Sequence, residues 1–324
     1  MAGALELGLL INTAPYVRDD AVPADLTPIF RQAELAEELG FDHVWAGDSS
    51  RMEREWPRAD CISLLAALAM RVSRVKLGVI PLNAPLRDPV LLAHQLATLD
   101  AISGGRLLVS PASGKQGPEG IREFANVGIP YNERGPRFTE ILEILRRLWT
   151  EPSVSFQGRF YHLEDATVFP KPINRPIPTL VATGRDERAL RRAGRFGDGW
   201  FTIQREPASF AAEYQKVKDA AVAAGRSASD IGQAGLYATF HLARDGEQAR
   251  AEAIENLRVY FGVHLKTTSD FFGTPAEVAG WLQGLVDGGL TMVVVRFVDP
   301  DVSTQTELLR EAIAVLRRPS AAGG

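Results

Sequence analysis

Hydrophobic residues fall into short apolar runs, and each run is followed by a small polar or glycine-containing turn and then by a longer segment with helical periodicity. A short apolar run without alternation is typical of a strand that is buried on both faces, as in a parallel sheet. We predict eight such strands, at residues 5–11, 41–46, 75–80, 106–110, 179–182, 199–203, 236–242 and 292–298.

The segments between the strands carry helix signals. Residues 27–28, 88–89 and 274–275 each pair a capping side chain with proline at the first helical position. Residues 136–149 place their apolar side chains on one stripe, and two helical patterns lie between strands seven and eight. The repeated alternation predicts a (β/α)8 TIM barrel. The alternative is a doubly wound open sheet, but its GxGxxG fingerprint is missing after strand one.

Residues 151–177 interrupt the alternation of strands and helices. They alternate like a small hairpin between 154 and 163 and then carry a cluster of prolines that excludes a helix. We therefore predict a single barrel domain over 1–318, with an insertion at about 151–177, after strand four and its helix, and a disordered tail at 319–324. We expect this insertion, lying over one barrel face, to contribute to substrate recognition together with residues 50–58 and 264–274.

The composition and charge of the chain argue against several classes of function. A net charge of −4 and dispersed Lys and Arg argue against a nucleic-acid surface. The single cysteine, Cys61, excludes an intrachain disulfide, and the five histidines lack metal-ligand spacing, so no metal site is predicted. The N-terminus has no basic leader, and its apolar run is too short to cross a bilayer. We expect a cytoplasmic protein without a membrane partner.

A TIM barrel places its active site at the C-terminal ends of the strands. The predicted strand ends carry few strong acids or bases, which favours a site where a bound cofactor performs the difficult chemistry. Arg296, at the end of strand eight, is a candidate contact to an acidic or phosphorylated substrate.

Six motifs follow one another along the chain: AEELGFDHVWAGDSS, LGVIPL, HQLATLDAISGGRLLVSPASG, ERGPRF with EILRRLW, FQGRFYHLE and AGRFGDGWF. They resemble those of the bacterial luciferase-like flavin and F420-dependent oxidoreductases, in the family's order over about residues 5–316. The resemblance implies a (β/α)8 barrel that holds FMN or the deazaflavin F420 at its C-terminal face.

The same resemblance implies roles for particular residues. Strand three of the family carries a bulge, often with a cis peptide, that supports the cofactor ring; a loop of small residues follows strand four; and the loop after strand five suits the cofactor phosphate, helped by an arginine. The cofactor-binding residues predicted in this way are Asp48, Ile80, Pro81, Leu82, Asn83, Ala112, Ser113, Gly114, Arg134, Thr183, Gly184 and Arg185.

Two positions depart from the family pattern. Ser49 stands where relatives often have histidine, and Lys115 stands where many F420-dependent relatives have a carboxylate. Ser49 is expected to hydrogen-bond the substrate or the ring, Lys115 to meet a phosphate or a developing negative charge, and Trp56 to stack on the substrate or the ring. These three are the predicted catalytic residues.

Three functions fit the sequence. The first is a monooxygenase that uses reduced FMN and O2 on a small organic substrate, with a flavin reductase as the supplier of reduced FMN. The second is an F420-dependent hydride-transfer reductase or dehydrogenase. The third, of another class, is a non-catalytic flavin-binding protein. A homodimer is also expected, since relatives are often dimers.

Overall fold

The structure, a computed structural model, describes residues 5–13, 16–17, 25–48, 58–203, 206–261 and 270–316. The strands in these ranges are β1 (Glu6–Ile11), β2 (His43–Ala46), β3 (Lys76–Asn83), β4 (Leu107–Ala112), β5 (Val154–Gln157), β6 (His162–Ala166), β7 (Leu180–Ala182), β8 (Gly199–Thr202), β9 (Gln233–Leu242), β10 (Asp270–Gly273) and β11 (Met292–Phe297). The helices are α1 (Thr27–Glu38), α2 (Cys61–Ala69), α3 (Pro89–Ile102), α4 (Pro118–Asn126), α5 (Arg134–Thr150), α6 (Glu187–Phe196), α7 (Pro207–Ala223), α8 (Gly246–Phe261), α9 (Pro275–Asp287) and α10 (Val302–Ala314).

Eight parallel strands form the barrel, in the order β4, β3, β2, β1, β11, β9, β8, β7. The circle closes between β4 and β7, where Val109 pairs with Thr179 and the Val109 amide donates to the Pro178 carbonyl at 3.0 Å. The predicted (β/α)8 barrel is therefore confirmed. Each of the eight predicted strands is present, with boundaries that differ by a few residues at most.

One strand was not predicted. β10 pairs in parallel with Thr239–Leu242, the C-terminal part of β9, whereas β8 pairs with the N-terminal part, Gln233–Leu236. β9 thus changes its neighbour along its length. The sequence of β10 is only DFFG, which is too short to show the alternation or the apolar run that predicts a strand.

A second buried cluster, separate from the main core, consists of strand residues Leu10, Trp45, Ile80, Leu108, Leu180, Phe201, Met292 and Val294. Trp45 is its largest member and lies edge-on against Phe201, with the ring centroids 5.6 Å apart. Gly8 and Gly78 leave room for the indole, since a Cβ on Gly8 would lie 2.7 Å from its nitrogen and one on Gly78 would overlap its ring. The Trp45 indole donates to His43 Nδ1 at 3.2 Å. Space for a ligand is therefore left at the C-terminal ends of the strands.

The segment after α5 forms the expected hairpin, with β5 and β6 antiparallel. Glu140 on α5 accepts hydrogen bonds from the backbone amides of residues 159–161, and Asp100 at the end of α3 accepts from those of Ile173 and Asn174. These contacts hold the segment against the outer helices and the N-terminal end of the barrel. None of its described residues lines the cavity presented below, and its contribution to substrate recognition stays a prediction.

Candidate functional site

A cavity of about 630 Å³ opens at the C-terminal ends of β3, β4, β7, β8 and β9. The first turns of α5 and α6 form its outer side. Its described lining consists of Ile80, Pro81, Ala112, Ser113, Gly114, Gln116, Asn132, Arg134, Gly135, Pro136, Thr139, Ala182, Thr183, Gly184, Arg185, Asp186, Arg188, Ala189, Arg192, Phe201, Thr202, Ile203 and Tyr237.

One end of this cavity is apolar and is shaped by an irregularity in β3. The pairing of β3 with β4 shifts its register between Val79 and Leu82, and the Ile80–Pro81 peptide bond is cis. This bulge turns Ile80 and Pro81 toward the cavity, where Phe201 and Tyr237 lie on the neighbouring wall. The resulting surface suits a flat, largely apolar ring.

The loop after β4 depends on a glycine. Gly114 has a φ of +95°, in the region that residues with a side chain rarely adopt, and a Cβ there would lie 2.6 Å from the Phe124 ring. The chain can therefore pass closely over α4 and keep Ser113 and Gly114 in the cavity wall.

The other end of the cavity is cationic. α6 begins at an Asp186 cap whose carboxylate accepts from the Ala189 amide at 3.0 Å. Arg188 and Arg192 are four residues apart on α6 and share one face of it, and Arg185 precedes the Asp186 cap. All three line the cavity, as does Arg134, the first residue of α5.

Two of these arginines are partly buried. Arg192 donates from Nε to Thr139 Oγ1 at 3.0 Å, and burial lowers the pKa of its guanidinium, although Asp186 acts in the opposite direction. Arg134 lies over the Tyr131 ring at 3.9 Å, and its Nε is buried without a hydrogen-bond partner. Burying a cation is unfavourable unless an anion accompanies it. The arrangement is thus suited to an anionic group such as a phosphate.

Arg185 is placed differently. Its side chain is 70% exposed, and its Nε lies 3.5 Å from a carboxylate oxygen of Glu213 on α7. Arg185 therefore stands at the mouth of the cavity, outside the partly buried pair. Arg188 and Arg192 were not predicted from the sequence, because two arginines four residues apart on a helix usually mark a solvated surface.

Nine of the predicted cofactor-binding residues lie together in the cavity wall: Ile80, Pro81, Ala112, Ser113, Gly114, Arg134, Thr183, Gly184 and Arg185. The structure thus brings the loops after β3, β4 and β7 to one opening. Their contact with a cofactor stays a prediction.

Asp48, Leu82 and Asn83 lie outside this wall, and their contact with a cofactor stays a prediction. Asp48 is buried, accepts two hydrogen bonds from Arg87 at 2.6 and 2.9 Å, and also accepts from the Asn83 amide at 2.9 Å. Burial alone would lower the pKa of Arg87, but the hydrogen bond to Asp48 raises it above its usual value. This ion pair ties the end of β2 to the end of β3. The Leu82 side chain instead packs between the sheet and the helices.

The predicted catalytic residues are not assembled in the described part of the cavity. Lys115 forms an ion pair with Glu119 in the first turn of α4, is half-exposed and does not line the cavity. Its catalytic role stays a prediction. Ser49 and Trp56 lie outside the described residues.

Arg296, the predicted substrate contact, is buried inside the barrel. Its Nη2 donates to Thr239 Oγ1 at 2.7 Å, and its guanidinium lies 5.7 Å from the centroid of the Tyr237 ring. Tyr237 lines the cavity, so Arg296 lies behind the wall. Among the described residues, no group of three or more His, Cys, Asp or Glu side chains is arranged to hold a metal ion.

A TIM barrel with one cavity end for a flat ring and another for an anion defines a cofactor-binding barrel enzyme. The sequence profile of the luciferase-like monooxygenase family matches residues 5–283, and the chain belongs to that family. None of the described helices is long and apolar enough to span a membrane.

Relatives in the family include two kinds of oxidoreductase. An F420-dependent glucose-6-phosphate dehydrogenase of Kineococcus radiotolerans is 28% identical over 88% of this chain and 91% of its own length. An FMNH2-dependent dimethylsulfone monooxygenase of Pseudomonas putida is 31% identical over 69% of this chain and 60% of its own length. The crystal structure of monooxygenase RslO1 from Streptomyces bottropensis superposes with a TM-score of 0.80 at 26% identity, covering 95% of this chain and 98% of that one.

Proposed function

We propose that this protein is a monooxygenase that uses reduced FMN and O2 to oxygenate a small organic substrate. The observation that carries the proposal is the composition of the cavity wall. In its described part the only carboxylate is Asp186, which caps α6, and there is no histidine. Such a wall can exclude water from a reactive cofactor, but it offers little general acid or base catalysis. The similarity to RslO1 supports the same reading.

The residues of the cavity fit FMN. Arg134 and Arg192 would hold the phosphate, and the backbone amide of Gly184 would add a donor beside them. The Thr183 amide already donates to the Phe201 carbonyl at 3.0 Å. Ile80, Pro81, Phe201 and Tyr237 would contact the ring and exclude water from it. When bound, the cofactor supplies the electrons and the site of O2 activation, while the protein supplies binding, orientation and a dry environment.

F420-dependent hydride transfer is the second candidate. It is favoured by the similarity to F420-dependent glucose-6-phosphate dehydrogenases, one of which aligns with nearly nine-tenths of this chain. The proposed anion site would accept the phosphate of F420 as well as that of FMN. The two functions therefore differ in the cofactor ring and in the need for O2.

Parallel calorimetric titration of the purified protein with FMN and F420 distinguishes these candidates. We expect reduced FMN to bind at least tenfold more tightly than F420, and the loaded protein to consume O2 when substrate is supplied. Tighter binding of F420 would contradict the monooxygenase function and favour F420-dependent hydride transfer. Binding of FMN without turnover of any substrate would favour a non-catalytic flavin-binding protein.

We further propose two protein partners. A separate flavin reductase would supply reduced FMN, because the proposed reaction consumes a flavin that has already been reduced. A second copy of the chain would cover α2 and α3, which expose Met70 next to the end of α2 and both Leu91 and Ile102 on α3. Sedimentation equilibrium tests the homodimer, and a monomer at micromolar concentration would refute it.

A further inference from the structure

The described wall of the cavity contains one tyrosine, Tyr237, on β9. Its neighbours along the strand, Leu236 and Ala238, belong to the main core between the sheet and the helices. Because successive side chains of a strand point to opposite faces, Tyr237 points into the barrel, where it packs against the second buried cluster. Its ring thus forms part of the apolar end of the cavity, together with Ile80 and Phe201.

The ring of Tyr237 is supported by a cation inside the barrel. The Arg296 guanidinium lies 5.7 Å from the ring centroid, within the range of a cation–π contact. The same guanidinium donates to Thr239 Oγ1, two residues further along β9 and on the same inner face. Tyr237 therefore holds a defined place in the cavity wall.

The hydroxyl of Tyr237 differs from two other hydroxyls of the wall, which are already bonded. Thr139 Oγ1 donates to the Gly135 carbonyl at 3.2 Å, and Thr183 Oγ1 accepts from the Trp200 indole at 2.8 Å. In the part of the chain that the structure describes, no group hydrogen-bonds the Tyr237 hydroxyl. Tyr237 is half-buried, and its oxygen is not one of the fully buried polar atoms. Since the side chain points into the barrel, solvent reaches this hydroxyl through the cavity.

An unbonded hydroxyl in an apolar wall discriminates between the groups that can cover it. A flat ring that fills the apolar end of the cavity excludes water from the hydroxyl. A hydroxyl that is buried without a partner is unfavourable, whereas a hydrogen bond to the ligand removes this cost. The isoalloxazine ring has two unlike edges: one carries the carbonyl oxygens and nitrogens of the pyrimidine part, and the other carries two methyl groups. Only the pyrimidine edge accepts a hydrogen bond.

We propose that the Tyr237 hydroxyl donates a hydrogen bond to the pyrimidine edge of the bound FMN ring, and that this bond fixes which edge of the ring faces β9. The proposal rests on the proposed function, since it takes FMN as the cofactor. It adds a polar contact that sets the orientation of the ring to the apolar contact already assigned to Tyr237.

Isothermal titration of Tyr237→Phe with FMN and with riboflavin tests this hydrogen bond, because the change removes one oxygen atom and keeps the aromatic ring. Binding of both ligands is expected to weaken about three- to tenfold, the range for one hydrogen bond between neutral groups. Arg192→Ala should weaken the binding of FMN but not that of riboflavin, which has no phosphate. The two losses belong to opposite ends of FMN and should therefore add in the double variant.

The infrared spectrum of bound, oxidised FMN is a second measurement, and a purely structural role of Tyr237 would not change it. A hydrogen bond weakens the carbonyl bond that accepts it, so the carbonyl stretching frequency should be higher in Tyr237→Phe than in the wild type. Tyr214→Phe is the matched control. It removes a hydroxyl that donates to the Ile231 carbonyl at 2.8 Å and does not line the cavity, so it should leave both the affinity and the frequency unchanged.

The outcomes separate this inference from the proposed function. The hydrogen bond requires both the weaker binding and the higher frequency in Tyr237→Phe, and the absence of either overturns it while FMN binding by the wild-type protein still stands. A variant that changes only the KM for the organic substrate also overturns it, because the hydroxyl would then contact the substrate. If the wild-type protein binds neither FMN nor riboflavin, the proposed function is overturned, and the role of Tyr237 falls with it.

Discussion

Individual arginines of the site differ in how far they are removed from water. Arg192 is partly buried, bonded to Thr139 and depressed in pKa by burial, whereas Arg185 is mostly exposed beside Glu213. A charged hydrogen bond gains strength as solvent is excluded. Their contributions to anion binding should therefore be unequal, even though both line the cavity.

Arg192→Ala is expected to weaken FMN binding by about 1.5–3 kcal/mol, the usual range for a hydrogen bond to a charged group. Arg185→Ala should weaken it less, because solvent screens an exposed guanidinium. Isothermal titration of each variant with FMN measures the two losses. Arg191→Ala, a change in a neighbouring exposed side chain, is the control and should bind like the wild type. Equal losses for Arg192 and Arg191 would place the phosphate elsewhere.

From the sequence it was possible to predict positions where the residue type alone suggests a use. Gly114 and the Thr183–Arg185 loop were predicted because small residues and backbone amides at a strand end have a definite use. Arg192 could not be predicted in the same way, since its role depends on how α6 is rotated against α5. The pairing of Asp48 with Arg87 could not be predicted, because the two residues are far apart in the sequence.

At the scale of the elements, the buried carboxylate of Asp100 holds the segment between β6 and β7 against the end of α3. Asp100, at the end of α3, is fully buried and accepts from the backbone amides of Ile173 and Asn174 at 2.7 and 3.1 Å, and from the Asn174 side chain at 3.3 Å. Loss of this acceptor would leave amide groups without a partner.

Asp100→Ala should therefore lower the free energy of unfolding by about 2–4 kcal/mol, in the range for a broken buried network. Urea unfolding measures this change, and limited proteolysis should show faster cleavage near residues 171–175. Asp287→Ala removes an exposed carboxylate that bonds only one described side chain, Gln283, so it should change stability by less than about 0.5 kcal/mol. An equally small effect of Asp100→Ala would mean that other contacts hold the segment.

The elements with a clear pattern of apolar and polar residues were predicted close to their observed positions. The barrel strands are apolar runs between turn signals, and the β5–β6 hairpin alternates. The sequence did not reveal β10, because four residues carry no period and their pairing with β9 is a long-range contact. It also did not reveal on which side of the barrel the insertion lies, since that is decided by Glu140 and Asp100.

For the molecule as a whole, the Glu37 carboxylate is expected to make the free energy of unfolding depend on pH. Glu37 at the end of α1 accepts hydrogen bonds from the backbone amides of residues 73–75, which precede β3. Burial by itself would raise the pKa of Glu37, but these amide donors outweigh it and lower the pKa from 4.5 to about 2. The folded state therefore favours the ionised form more than the unfolded state does.

The stabilisation from Glu37 should be complete above pH 4.5 and should be lost as the pH falls through about 2. Glu37→Gln removes this titration. We expect the difference in unfolding free energy between wild type and variant to shrink as the pH is lowered through that interval, as measured by urea unfolding at several pH values. A difference that does not change with pH would show that Glu37 has the same pKa in both states.

Trp45 in the barrel interior also provides an intrinsic fluorescent probe of cofactor binding. Trp45 is one of five tryptophans, and it is fully buried against Phe201, whose ring lines the cavity. An isoalloxazine or deazaflavin bound in that cavity would lie within range for resonance energy transfer from this indole. Intrinsic emission would then follow cofactor loading in real time, without any label, and would allow rates of binding and release to be resolved by stopped flow.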